Sequence, residues 1–93
     1  MATLEARYRV QDRDAFMDAF AAFRPVRMEL GVTACRVLGA DQDPADVVVM
    51  FELPSCDAAR TYATDPRRQE ALKKAGVTDC TDVVLEELRS ATI

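Results

Sequence analysis

Leu4, Ala6, Tyr8 and Val10 alternate with Thr3, Glu5, Arg7 and Arg9, a period of two that predicts a strand over 3–10 with one apolar face. From Asp12, a plausible N-cap, the period lengthens. Phe16, Phe20, Phe23 and Leu30, flanked by Met17 and Ala19, form the apolar stripe of a helix. Pro25 lacks an N–H and its ring clashes with the preceding turn, so this helix should kink or break near Phe23 and Arg24 before Gly31 ends it. A second strand is expected over 32–38, a polar, Pro-containing hairpin loop over 39–46 and a third strand over 47–53. Ser55 then caps a short helix with Ala59, Tyr62 and Ala63 on one face. Asp65-Pro66 starts another, followed by Leu72 and Ala75 and closed by Gly76. The last strand is expected over 82–89.

Both helical stretches end alike, Leu30-Gly31-Val32 and Ala75-Gly76-Val77, with a glycine followed by an apolar residue that can fold back on the helix. Two βαβ halves joined by a hairpin give an α+β, ferredoxin-like βαββαβ domain, a four-stranded antiparallel sheet with its helices on one face, occupying 1–93 as one unit. Val47-Val48-Val49-Met50-Phe51 breaks the expected alternation, because it is apolar on both sides, and Val83-Val84-Leu85 repeats the signal. Helices cover one face only, so a second copy of the sheet is the expected cover for the other, making a homodimer.

Composition narrows the partners. With 49% hydrophobic and 30% charged residues the chain has a globular balance, and a net charge of −4 with no basic stripe argues against nucleic acid. No apolar run is long enough for a membrane span, and the first residues lack the pattern of a signal peptide, so a cytoplasmic location with no membrane partner is expected. Cys35, Cys56 and Cys80 fit neither a disulfide framework nor a zinc knuckle and are read as free thiols. The chain contains no His, Trp or Asn, so the commonest general base and metal ligand are both missing, and neither a metal nor a cofactor is expected.

The segments Ala2-Thr3-Leu4, Arg7, Gly31-Val32-Thr33, Arg36-Val37-Leu38, Asp46-Val47-Val48-Val49, Asp57-Ala58-Ala59-Arg60, Asp65-Pro66 and Lys74-Ala75-Gly76-Val77 resemble those of the dimeric α/β-barrel superfamily. The likeness spans Met1 to about Leu88 and is greatest to small bacterial cyclase-like and antibiotic-biosynthesis-monooxygenase-like proteins. It implies two sheets packed into a barrel and, in each subunit, a pocket between sheet and helices. Members use that pocket for cofactor-free oxygenation, isomerisation or cyclisation of hydrophobic small molecules; others have no established activity. These segments specify the fold more than a reaction. The resembling proteins often carry His at the places of Tyr8 and Cys35, and some monooxygenases of the superfamily rely on Asn, Trp or His, which this chain lacks.

Tyr8 and Cys35 are therefore the catalytic candidates. Tyr8, on the apolar face of the first strand, is either a proton or hydrogen-bond donor at the pocket or a core residue with its hydroxyl in solvent. Cys35 is a base or nucleophile if a nearby cation lowers its pKa, and otherwise an inert small hydrophobe; Cys56 and Cys80 are weaker candidates. Substrate-binding candidates are Tyr62 at the pocket mouth, Asp65 beside it, and Arg7 and Arg36 on the far side of the sheet. There Glu5, Arg7 and Arg9, with Arg36 and Glu52 as cross-strand partners, form either an interface salt-bridge network or an anion site. Phe16, Phe20 and Phe23 are read as core, and Asp41, Asp43 and Asp46 as turn chemistry. Three functions follow: a cofactor-independent enzyme acting on a hydrophobic, enolisable aromatic or polyketide-like molecule, a non-catalytic binding or accessory dimer, and a stress-related dimer with a vestigial pocket.

Overall fold

The computed structural model describes residues 1–92. Its elements run β1 (Ala2–Val10), α1 (Arg13–Ala22), α2 (Arg24–Glu29), β2 (Ala34–Ala40), β3 (Asp43–Leu53), α3 (Cys56–Thr64), α4 (Pro66–Lys74) and β4 (Val77–Glu86). The strands form one antiparallel sheet in the order β2-β3-β1-β4, with β1 hydrogen-bonded to β3 and β4. This is the ferredoxin-like arrangement anticipated from the two βαβ halves.

Alternation in β1 works as the pattern requires. Leu4, Ala6, Tyr8 and Val10 are buried against the helices, where they meet Val47, Val49, Phe51 and Leu53 of β3. Asp12 and Ser55 accept from the backbone N–H groups of Ala15 and Ala58, both at 3.1 Å, fixing where α1 and α3 begin. The first helical stretch does break at Phe23, and Pro25 sits in the first turn of α2, where its missing N–H costs nothing. Gly31 takes φ +96°, and the N–H of Val32 reaches back to the carbonyl of Arg27 at 3.0 Å, closing α2.

Three boundaries depart from expectation. The second strand begins at Ala34 rather than 32, and the 39–46 loop shrinks to a tight turn at Asp41-Gln42, with β3 starting at Asp43. The polar residues that suggested a loop are instead paired across strands. Asp46 takes a two-pronged bond from Arg7 (2.7 and 3.1 Å) and Asp43 one from Arg9 (3.0 Å). Arg13 lies over the hairpin and donates to the carbonyls of Ala40, Asp43 and Pro44; a Cβ at Gly39 would stand 2.7 Å from its guanidinium. The fourth strand runs over Val77–Glu86 rather than 82–89, because Val77 pairs with Val10 and Glu86 with Ala2, beyond which β1 offers no partner.

On the side away from the helices the sheet is bare. Val48 and Met50 are half-buried there, beside exposed Leu38, Val83 and Leu85. Among the described residues no helix is long and apolar enough to cross a membrane.

Candidate active site

Between the helices and the sheet lies a narrow crevice. Tyr8 of β1 and Phe51 of β3 form its floor with Tyr62 of α3; Phe16 and Phe20 of α1 and Leu72 of α4 form its sides. The aromatic rings pack in a chain, Tyr8 to Phe16 at 5.6 Å, Phe16 to Phe20 at 6.0 Å, Phe20 to Phe51 at 6.3 Å and Phe51 to Tyr62 at 5.1 Å between centroids. Tilted rings at these separations are mutually attractive. Space for water-sized occupants is only about 30 Å3, room for about two waters.

Two arginines reach this apolar space. Arg68 of α4 is 1% exposed. Its Nη1 and Nη2 grip the Asp82 carboxylate of β4 at 2.9 and 2.8 Å, Nη1 also donates to the carbonyl of Ala63 at 2.9 Å, and Nη2 donates to the Tyr8 hydroxyl at 2.8 Å. Its Nε–H is buried and has no partner. A buried guanidinium needs a counter-charge and full hydrogen bonding, and Asp82 supplies the first but leaves the second incomplete. Arg27 of α2 lies over the Phe20 ring at 3.8 Å and donates to the Phe20 carbonyl.

The electrostatics follow from burial. Burial pushes the Tyr8 phenol well above its ordinary value, opposed only in part by the Arg68 charge and hydrogen bond. Tyr62 is pushed up to about 12, again chiefly by burial, opposed in part by the charge of Arg68 and then by that of Arg27. Burial works against the charge of Arg68, but the bonds to Asp82 and Tyr8 outweigh it and raise its pKa, so it stays cationic. Because the Tyr8 oxygen accepts from Arg68 and remains protonated, its own O–H is available to donate.

Of the residues singled out in the sequence, Tyr8 and Tyr62 share the crevice. Tyr62 is buried on the floor rather than hanging over the mouth, since its ring completes the contact with Phe51. Cys35 faces the helices from β2 but opens into a separate cavity of about 260 Å3 with Arg24, Arg27 and Thr33, so it does not meet Tyr8. Asp65 caps α4, accepting from the Arg67 N–H at 2.8 Å, with its pKa lowered chiefly by the Arg67 side chain, and it does not line the crevice. Arg7 and Arg36 border a third hollow of about 360 Å3 on the bare face of the sheet. There Arg7 pairs with Asp46 rather than Glu52, whose carboxylate instead accepts from the Thr3 hydroxyl at 3.0 Å. Phe16 is core as expected, whereas Phe20 and Phe23 are half-buried and border the crevice. The Cys80 thiol points at Asp82 at 3.5 Å and is pushed up to about 11 by burial and then by that carboxylate, which keeps it protonated. Cys35, Cys56 and Cys80 are all unpaired, and among the described residues no group of three or more side chains could hold a metal ion.

Arg68, Asp82 and Arg27 were not anticipated. The signal was present: Arg68 stands four residues before Leu72 and seven before Ala75, and Arg27 falls between Phe23 and Leu30, each a charge on an otherwise apolar stripe.

No protein-family model and no curated protein matches the sequence. Solved structures do match its fold. The cofactor-independent oxygenase SnoaB of Streptomyces nogalater superposes with a TM-score of 0.81 at 14% identity, over 99% of this chain and 97% of its own. An antibiotic biosynthesis monooxygenase gives 0.73 at 17%, over 96% and 100%. A dimeric ferredoxin-like protein of unknown function from a Jannaschia species gives 0.67 at 18%, over 94% and 100%. The chain therefore has the ferredoxin-like fold found among antibiotic biosynthesis monooxygenase-like proteins; at such identities the likeness is one of fold alone.

Proposed function

We propose that the protein is a homodimeric, cofactor-independent enzyme that binds a hydrophobic, enolisable aromatic or polyketide-like molecule in the crevice and stabilises its anion for oxygenation, isomerisation or ring closure. The observation that carries this reading is the pair of donor-bearing residues that border the aromatic crevice, Arg68, whose buried Nε–H has no partner, and Tyr8, whose phenol stays protonated. An enolate oxygen between them would meet one charged and one neutral donor in a water-poor site, where such bonds act most strongly on developing charge. The fold shared with a cofactor-independent oxygenase is consistent with this reading.

The residues bordering the crevice include no carboxylate and no thiol. The substrate must then be acidic enough to release its proton to water once its anion is held by the two donors. This same feature favours the second reading, a dimer that binds such a molecule without turning it over. Anthrone, an enolisable tricyclic ketone, tests the choice. In air-saturated buffer the protein should accelerate anthrone consumption, and Tyr8→Phe should lower the rate about 10²-fold, the scale of losing one positioned donor. Arg68→Lys, which keeps the charge facing Asp82 but removes the Nε–H, should lower it comparably. Saturable binding of anthrone with no acceleration over buffer would leave the non-catalytic reading.

A further inference from the structure

Arg27 differs from Arg68 in one respect: it is 6% exposed, yet no carboxylate lies within ion-pair distance of it among the described residues. Acids on the same helix and on neighbouring segments are engaged elsewhere. Glu29, on the same helix, pairs with Arg67 at 3.3 Å, as does Asp65, and Glu52 turns to Thr3 on the far face of the sheet. Arg24, three residues before Arg27, forms no ion pair either. The Phe20 ring and carbonyl compensate the Arg27 charge in part, but a buried cation without an anion is costly, and an apolar residue on this stripe would avoid the cost. Arg24 and Arg27 both border the 260 Å3 cavity between α2 and the start of β2, with Thr33 on its wall. Arg27 borders the aromatic crevice as well, so one side chain lines both spaces.

We propose that Arg27, assisted by Arg24, is the receptor for a carboxylate carried by the molecule that fills the crevice. The inference rests on the crevice being a ligand site and adds the ligand's charge: an apolar ring system lies among Phe20, Phe23 and Tyr62 while its carboxylate reaches the Arg27 fork. Arginine suits that task because its planar donors match a carboxylate in pairs, and of the Arg27 donors only Nη1 has a hydrogen-bond partner among the described residues, the Phe20 carbonyl.

Two probes differing only in the acid decide the matter, 1-hydroxy-2-naphthoate and 1-naphthol, titrated into the full chain and followed by their own fluorescence, since the protein has no Trp. The naphthoate should bind about tenfold or more tightly than naphthol, a difference of about 1.4 kcal/mol. Arg27→Gln should bring the ratio near one, and Arg24→Gln should reduce it about threefold by removing a more exposed charge while leaving naphthol binding intact. If Arg27→Gln does not fold, Arg27→Lys serves, since it keeps the charge without the fork and should lose most of the preference. Equal affinities in the wild type, or a preference that survives both the Arg27 and Arg24 substitutions, would overturn the carboxylate site and leave the crevice reading standing. Failure of both probes to bind at millimolar concentration would overturn the two together.

Discussion

Tyr8 and Tyr62 are the only tyrosines, and both are buried under the influence of Arg68. An unfolded phenol ionises near pH 10, whereas in the folded chain burial raises both phenols, Tyr62 to about 12 and Tyr8 further. The unfolded state therefore releases these protons first. The stability they contribute is complete below about pH 10 and is lost as pH rises from there toward the folded values. An absorbance titration at about 295 nm should show almost no phenolate in the native protein at about pH 10.5, then a cooperative rise that coincides with loss of helical circular dichroism. A smooth, reversible ionisation centred near pH 10 with the fold intact would show that the phenols are not held this way. At this scale the sequence revealed half the site. Period-two patterning places Tyr8 inward without ambiguity, but nothing local says that an arginine on α4 will bend in to meet it. That contact depends on β4 carrying Asp82 to the same face, which is a matter of register between segments 14 residues apart.

Caps and breakers made the helices legible. Asp12, Ser55 and Asp65 each satisfy a backbone N–H at a helix start, and each acts through residues two or three positions away. Asp65→Ala should therefore cost about 1 kcal/mol and lower Tm by about 4–8 °C, with turnover on any crevice substrate unchanged, as checked by calorimetry and the same rate assay. A large loss of turnover without a change in Tm would return Asp65 to the binding site. Strand ends were harder to read for a related reason. The Asp41-to-Asp46 stretch and the Thr78-to-Asp82 stretch are polar, and short polar runs read as loops unless their partners are known. Arg7, Arg9 and Arg13 are those partners for the hairpin, and β1 is the partner for the beginning of β4.

For the molecule as a whole the informative surface is the bare side of the sheet, where Leu38, Val48, Met50, Val83 and Leu85 lie among paired charges. Soluble monomers seldom display such a patch. Light scattering should give a single species of twice the 10.3 kDa chain mass, and Val48→Lys should halve that mass or unfold the protein. A folded wild-type monomer at micromolar concentration would refute packing through this face. The architecture was readable because hydrophobic period, caps and glycine stops all agreed, whereas the site depends on long side chains crossing between elements.

The narrowness of the crevice bears on time as well as on affinity. Room for about two waters cannot admit a ring system, so the helices must part before anything large is seated. The helix break at Phe23, between α1 and α2, interrupts the layer above the sheet. Arrival would then be paced by how often the gap opens rather than by how often molecules collide with it. Departure must await the same movement, so an occupant, once enclosed, would stay longer than the strength of its contacts alone would keep it.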